Sequence, residues 1–75
     1  MRTIELYTGE FCQPCKMLKG VLDSKGIPYI VKDLEENPDI KSVPTVYYME
    51  DGVKIDETIG ASGAVVAKIA DWLNG

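Results

Sequence analysis

Residues 9–18, GEFCQPCKML, contain both cysteines of a 75-residue chain, three positions apart and with Pro14 directly before the second. After the first cysteine the apolar side chains recur at helical intervals, at Cys15, Leu18 and Leu22. This spacing predicts a helix that begins near residue 13 and ends near residue 25. The two cysteines are therefore expected at the N-terminus of a helix.

The segments on either side of this helix have the composition of β-strands. Residues 2–8, RTIELYT, alternate apolar and polar side chains with a period of two. Residues 28–34, PYIVKDL, form the second predicted strand, and Gly26 suits the left-handed position that follows a helix. Because a helix separates the two strands, the simplest arrangement is a right-handed parallel βαβ unit.

The second half of the chain predicts a hairpin followed by a helix. Residues 44–50 (PTVYYME) and 53–59 (VKIDETI) are rich in β-branched and aromatic side chains and flank the hairpin signal Glu50-Asp51-Gly52. The preceding residues 35–42, EENPDIKS, leave room for one helical turn. Residues 62–75 form a C-terminal helix with apolar residues on one face: Val66, Ile69, Ala70 and Leu73.

Composition and charge limit the classes of function. With 75 residues the chain supports one core, so we expect a single domain over residues 1–75. Twelve acidic against eight basic residues give a net charge of −4, which disfavours nucleic acid as a partner. No apolar run approaches the roughly 18 to 20 residues that span a membrane, and residues 1–10 lack the hydrophobic stretch of a secretory signal. We therefore expect a cytoplasmic protein without a membrane partner.

Two cysteines at this spacing have three structural explanations, none of which fits well. A structural disulfide that closes about four residues would stabilise the fold by about 2 kcal/mol at most. A zinc site needs four ligands, and a chain without histidine or further cysteines offers two of the customary ones, so we expect no bound metal. Unrelated core cysteines remain open, although a position just ahead of a helix does not suit a core.

A reversible redox pair explains the spacing better. The first four N–H groups of a helix lack intrahelical partners, so the sulfur of Cys12 would lie near donors and the positive end of the helix dipole. Such surroundings lower a cysteine pKa from about 8.5 and favour the nucleophilic thiolate. Cys12 is therefore expected to attack disulfides and Cys15 to resolve the mixed disulfide. Pro14 costs no hydrogen bond in the first helical turn, and Lys16 either adds positive charge or is simply a solvated residue.

The segment CQPCKML resembles the active-site segment of the thioredoxin family, Cys-Gly-Pro-Cys-Lys-Met, with Gln13 in place of glycine. The stretch VPTVYYMEDGVKIDETIGAS is similar, without a gap, to the thioredoxin segment that runs from Ile-Pro-Thr through a hairpin to Val-Gly-Ala. The resemblance implies that Pro44 is the family's cis-proline and that Val43 offers its backbone to an extended substrate. It also implies that Gly60 and Ala61 flank the substrate groove.

Several positions depart from the thioredoxin pattern. Phe11 replaces the tryptophan that usually precedes the first cysteine, and Leu6 stands where thioredoxins keep a buried aspartate that assists proton transfer. The chain begins at the strand before the cysteines, as glutaredoxins do, and the segment between the second and third strands is shorter than in thioredoxins. The chain is thus similar to the small, glutaredoxin-sized redoxins with a C-x-P-C active site.

This resemblance implies an α/β fold of the thioredoxin and glutaredoxin type, a βαβ unit followed by a ββα unit, whose four-stranded mixed sheet has the strand order 2-1-3-4. It implies a dithiol-disulfide oxidoreductase that reduces protein disulfides and holds no bound cofactor. Reducing equivalents would come from NADPH through a flavoprotein of the thioredoxin-reductase type. The substrates would be disulfide-containing proteins, with ribonucleotide reductase, which several small redoxins reduce, as one example.

Three other functions stay open. A glutathione-dependent glutaredoxin is the nearest, although the stretches TGEF and GASGAV lack the basic residue and the aspartate with which glutaredoxins hold glutathione. An iron-sulfur-bridged dimer of the glutaredoxin kind is disfavoured by Pro14 and by the same missing residues. In a binding module of the same fold, the cysteines would be incidental to function.

Overall fold

A computed structural model describes residues 1–75 and contains the predicted elements in the predicted order. The strands are β1 (Arg2–Thr8), β2 (Ile30–Asp33), β3 (Thr45–Glu50) and β4 (Val53–Ile59). The helices are α1 (Gln13–Ser24) and α2 (Gly63–Leu73), and one 3₁₀ turn spans Leu34–Glu36. Neither α1 nor α2 has the length and the apolar character that a bilayer crossing requires.

The four strands form one mixed sheet in the order β2-β1-β3-β4, as predicted. Strand β1 lies inside the sheet, parallel to β2 and antiparallel to β3, and β4 pairs antiparallel with β3 at the edge. The thioredoxin-like α/β fold expected from the sequence is therefore confirmed. The turn between β3 and β4 places Asp51 and Gly52 at φ values of 52° and 83°, which the Asp-Gly pair adopts readily.

Both helices pack on the same face of the sheet. The inward side chains of β1 and β3 lie in register, with Ile4 opposite Tyr48 and Leu6 opposite Val46. They meet the buried faces of α1 and α2 in a cluster of nine residues: Ile4, Leu6, Leu18, Leu22, Val46, Tyr48, Val65, Val66 and Ile69. The buried face of α2 differs slightly from the predicted one. It includes Val65, which was not predicted, whereas the predicted residues Ala70 and Leu73 are only half-buried.

Trp72 fastens the C-terminal end of α2 to the start of β1. Its indole Nε1 donates to the carbonyl oxygen of Thr3 at 3.2 Å, and the guanidinium of Arg2 lies 4.2 Å from the ring centroid. The ring also meets Tyr48 edge-on, with 5.9 Å between centroids. The one polar group of the indole is thus hydrogen-bonded, and the ring has a cationic and an aromatic neighbour.

No helix covers the opposite face of the sheet. Two tyrosines from neighbouring strands, Tyr7 and Tyr47, pack against each other there with 4.9 Å between ring centroids. The loop after the 3₁₀ turn reaches over them, because Asn37 Nδ2 donates to the hydroxyl of Tyr47 at 2.8 Å. Burial, and next the neighbouring carboxylate of Glu5, raise the pKa of Tyr7 above its ordinary value. A short loop therefore takes the place of a helix on this face.

One detail of the sheet differs from the sequence-based prediction, and a second was not predicted. Strand β2 is shorter than the predicted residues 28–34, because its pairing with β1 starts at Ile30 and the chain enters the 3₁₀ turn at Leu34. The side chain of Glu36 stabilises this turn by accepting from the backbone N–H of Asp33 at 2.8 Å. A β-bulge interrupts the β3–β4 register between Tyr48 and Met49.

Ile69 of α2 lies in the core, so we expect truncation of its side chain to lower the stability of the protein strongly. Ile69 is 0% exposed whereas Ile55, on the edge strand, is 55% exposed. We expect Ile69→Ala to lower the free energy of unfolding by about 3 kcal/mol, and Ile55→Ala by less than about 1 kcal/mol. Urea unfolding with unchanged m-values measures both. Equal losses in the two variants would contradict the assignment of Ile69 to the core.

Two glycines predict opposite effects of the same substitution. Gly26 follows α1 at a φ of +68°, whereas Gly20 lies within α1, and apart from the adjoining backbone no atom lies within 4 Å of a Cβ placed at either position. We expect Gly26→Ala to destabilise the protein by about 1 kcal/mol through backbone strain, and Gly20→Ala to stabilise it by about 0.5 to 1 kcal/mol. Thermal unfolding of both variants distinguishes these signs, and a stabilised Gly26→Ala variant would refute the left-handed cap.

Candidate functional site

The two cysteines lie where β1 gives way to α1, as the sequence predicted. Cys12 is the N-cap residue of α1, with an extended backbone (φ −117°, ψ 104°), and Cys15 lies in the first turn. A disulfide joins them, with 5.2 Å between their Cα atoms. The first turn of α1 therefore holds the two cysteines at a distance that suits a disulfide, and no other segment has to bring them together.

The sulfur of Cys12 takes the place that an oxygen occupies in an ordinary N-cap. Its Sγ accepts a hydrogen bond from the backbone N–H of Cys15 at 3.1 Å, one of the donors that a helix leaves unpaired. The first intrahelical bond follows, from the N–H of Lys16 to the carbonyl oxygen of Cys12 at 3.3 Å. Pro14 lies between them in the first turn, where its missing N–H removes no intrahelical bond.

The disulfide is shielded unequally. Cys12 is 7% exposed and Cys15 is 1% exposed, so an approaching molecule reaches Cys12 more readily. Phe11, directly before Cys12, is 94% exposed, and the other residues that the sequence singles out around the cysteines are also exposed: Gln13, Pro14 and Lys16. Two apolar side chains, Phe11 and Pro14, and two polar ones, Gln13 and Lys16, thus surround a nearly covered pair of sulfurs.

A second loop, residues 42–45, ends at the start of β3. The peptide bond between Val43 and Pro44 is cis. The carbonyl oxygen of Pro44 accepts from the N–H of Gly60 at 2.9 Å, and that of Ser42 accepts from Thr45 Oγ1 at 2.6 Å. The N–H and carbonyl groups of Val43, between these two, make no hydrogen bond within the chain. We call residues 42–45 the proline turn.

Gly9 brings the proline turn next to the first cysteine. A methyl group on Gly9 would lie 3.2 Å from Val43 Cγ2 and 3.7 Å from the Cβ of Cys12. The side chains of Val43 and Cys12 therefore both lie close to the same glycine. Gly60 is tied to this turn through Pro44, and Ala61, next in the chain, packs against the core cluster. The structure thus brings together the predicted cysteine and substrate-binding positions.

No carboxylate lies beneath the cysteines. Leu6 is buried, and it packs in the core cluster with Leu18 and Leu22 of α1. The buried residues of the whole chain include no acidic or basic side chain. No group of three or more His, Cys, Asp or Glu side chains lies together in a way that would hold a metal ion.

The sequence alone does not identify two residues of the site as functional. Gly9 showed no signal beyond being a loop glycine, because its importance depends on the approach of Val43 from a distant segment. Thr45 belongs to the Val-Pro-Thr stretch, but the sequence does not reveal that its side chain is buried. The only sequence feature that points to Thr45 is its position, as a polar residue directly after the predicted cis-proline.

Comparisons with known proteins show which family the chain resembles. The glutaredoxin family model matches residues 4–53, two thirds of the chain. The thioredoxin of Rickettsia felis is 31% identical over 80 aligned positions, which cover 91% of this chain and 74% of that protein. A thioredoxin of Staphylococcus aureus is 34% identical over 62 positions, which cover 67% of this chain and 60% of the relative.

Solved structures of thioredoxins share the fold. The thioredoxin of Malassezia sympodialis superposes with a TM-score of 0.75 at 21% identity, over 93% of this chain and 75% of that one. The oxidised thioredoxin of Plasmodium falciparum gives a TM-score of 0.76 at 23% identity, over 95% and 80% of the two chains. Together with the cysteine pair at the start of α1, these likenesses identify the chain as a member of the thioredoxin superfamily and a thiol-disulfide oxidoreductase.

Proposed function

We propose that this protein is a protein disulfide reductase in which Cys12 is the nucleophile and Cys15 the resolving thiol. The hydrogen bond from the Cys15 N–H to Cys12 Sγ is the observation that carries the proposal. In the reduced protein the same donor and the N-terminus of α1 stabilise a thiolate at Cys12, and a thiolate is the species that attacks disulfides. The greater exposure of Cys12 supports the same division of roles.

The exchange proceeds in two steps that balance. The Cys12 thiolate attacks one sulfur of the substrate disulfide, forms a mixed disulfide, and releases the other substrate sulfur as a thiolate that takes up a proton. Cys15, as its thiolate, then attacks Sγ of Cys12, so that the Cys12–Cys15 disulfide forms and the second substrate thiol leaves. Two electrons and two protons pass from the protein dithiol to the substrate.

The substrate lies along the proline turn in this proposal. The free N–H and carbonyl groups of Val43 pair with an extended polypeptide in the manner of an added strand. Pro44 is next to them, and Gly60 and Ala61 flank the groove. Phe11, Gln13, Pro14 and Lys16 supply the outer contacts around Cys12. An extended segment that carries its disulfide over Cys12 suits this arrangement.

The electron source in this proposal is NADPH, delivered through a flavoprotein of the thioredoxin-reductase type, and no cofactor is bound. The thioredoxin relatives support this partner. Ribonucleotide reductase is one candidate among the disulfide-containing substrates. The cytoplasm is the proposed compartment, since a reducing environment keeps such a dithiol ready to react.

Glutathione is the alternative electron source, because the matching family model is that of glutaredoxin. Glutaredoxin-like use of glutathione requires a site for the carboxylates of a tripeptide. Glu10 lies exposed in the loop before Cys12, where it repels such a ligand. The thioredoxin-type source is therefore the preferred one.

The roles of the cysteines predict different products from two variants. Cys12→Ser is expected to abolish disulfide reduction, because Cys15 is nearly buried and cannot attack a bulky substrate. Cys15→Ser is expected to accumulate a mixed disulfide through Cys12, because no resolving thiol remains. Non-reducing electrophoresis and mass spectrometry with an insulin substrate measure both outcomes.

Gly20→Ser is the matched control, since it introduces a serine at an open position of the same helix. It is expected to retain wild-type reduction. A mixed disulfide trapped by Cys12→Ser instead of Cys15→Ser would reverse the assignment. If a variant without both cysteines fully replaced the wild-type protein in a cell that depends on it, the cysteines would be incidental and the fold a binding module.

The electron source is tested by NADPH consumption during insulin reduction. One reaction contains thioredoxin reductase, and the other contains glutathione and glutathione reductase. We expect turnover with the flavoprotein and none above background with glutathione, with Cys12→Ser as the blank in both reactions. Turnover with glutathione alone would make the protein a glutaredoxin in function and overturn the proposed partner.

A further inference from the structure

Thr45 is the one buried residue of the chain whose side chain is neither apolar, aromatic nor a cysteine. It is 2% exposed and occupies the first position of β3, directly after Pro44. A buried hydroxyl costs free energy unless it is hydrogen-bonded, and valine would fill the same volume in a strand without that cost. The presence of the hydroxyl therefore requires an explanation other than packing.

The hydroxyl closes the proline turn. Thr45 Oγ1 donates to the carbonyl oxygen of Ser42 at 2.6 Å, so a side chain of the sheet holds the residue that begins the turn. On the far side, the carbonyl of Pro44 is held by the N–H of Gly60. These two bonds occupy the carbonyl groups of Ser42 and Pro44, while the N–H and carbonyl groups of Val43 make no hydrogen bond within the chain.

The position of Val43 is thus fixed at both its neighbours while its own hydrogen-bonding groups stay free. Its side chain is confined as well, because Cγ2 lies against Gly9 beside Cys12. A backbone segment held in this way loses little conformational freedom when it pairs with an incoming strand, which favours binding. The rigidity of the turn depends in part on a single hydroxyl.

We propose that Thr45 is a positioning residue for polypeptide substrates: its hydroxyl holds the proline turn so that the N–H and carbonyl groups of Val43 are in place to pair with the substrate backbone. This inference rests on the proposed disulfide reduction and names the residue that sets its preference for extended polypeptides. Thr45 does not touch the reacting sulfurs in this role. Its effect therefore depends on whether the substrate has a backbone to bind.

The test compares two disulfides in single-turnover reactions of the pre-reduced protein, so that the electron source plays no part. One is a disulfide-bonded peptide in an extended conformation, and the other is the small aromatic disulfide 5,5′-dithiobis(2-nitrobenzoate), which has no peptide backbone. We expect Thr45→Val to lower the second-order rate constant with the peptide by roughly five- to tenfold, as for the loss of one to two hydrogen bonds. With the aromatic disulfide we expect a change of less than about twofold.

Two variants complete the comparison. Thr45→Ser keeps the hydroxyl and is expected to restore the peptide rate to within about twofold of wild type. Thr58→Val is the matched control, because it removes a hydroxyl that is hydrogen-bonded to Tyr48 at 2.9 Å in the same sheet but lies outside the proline turn. It is expected to leave both rates unchanged.

Each outcome decides the inference. An equal loss with both disulfides, or an unchanged peptide rate in Thr45→Val, overturns the positioning role. A wild-type protein that reduces neither disulfide refutes the proposed function instead, which separates the two failures. If Thr45→Val does not fold by circular dichroism, Thr45→Ala removes the same hydroxyl and carries the same expectation for both disulfides.

Discussion

The fold depends on the burial of one face of β1. Ile4 and Leu6 point from this inner strand into the core, where both helices meet them, and β1 also pairs with strands on both of its edges. A chain of this size has one core, so a single strand has to organise both the sheet and the packing of the helices. The same strand leads the chain directly into residues 9–12, the cysteine loop, so the site is attached to the central strand of the core.

The meeting of the two loops in the site is a consequence of strand register. Tyr7 lies opposite Thr45, so the cysteine loop leaves the sheet at the point where the proline turn enters it. A slip of one residue between β1 and β3 would turn the inward side chains of one of the two strands, Leu6 or Val46, away from the helices, at a large cost in apolar burial. The hydrophobic core therefore fixes the relative position of Cys12 and Val43, although neither residue belongs to the core cluster.

Local sequence signals were sufficient for the elements and for the cysteine pair. The hairpin was predictable because Asp51-Gly52 favours positive φ, and the start of α1 because Pro14 and the apolar spacing act within one turn. The end of β2 and the bulge at Tyr48 were not, since they depend on pairing with neighbouring strands. The hydrogen bond of Thr45 was likewise hidden, because burial of a side chain is set by the whole fold rather than by adjacent residues.

The attachment of Trp72 at the beginning of β1 has a spectroscopic consequence. Strand β1 is seven residues long, so Arg2 and Thr8 at its two ends are about 20 Å apart, and the disulfide lies beyond Thr8. Trp72 is the single tryptophan of the chain, and its indole contacts Arg2 and Thr3 rather than the sulfur atoms. Its emission therefore follows the packing of the core at the end opposite the cysteines, and one fluorescence signal serves to monitor unfolding of the oxidised and the reduced protein alike.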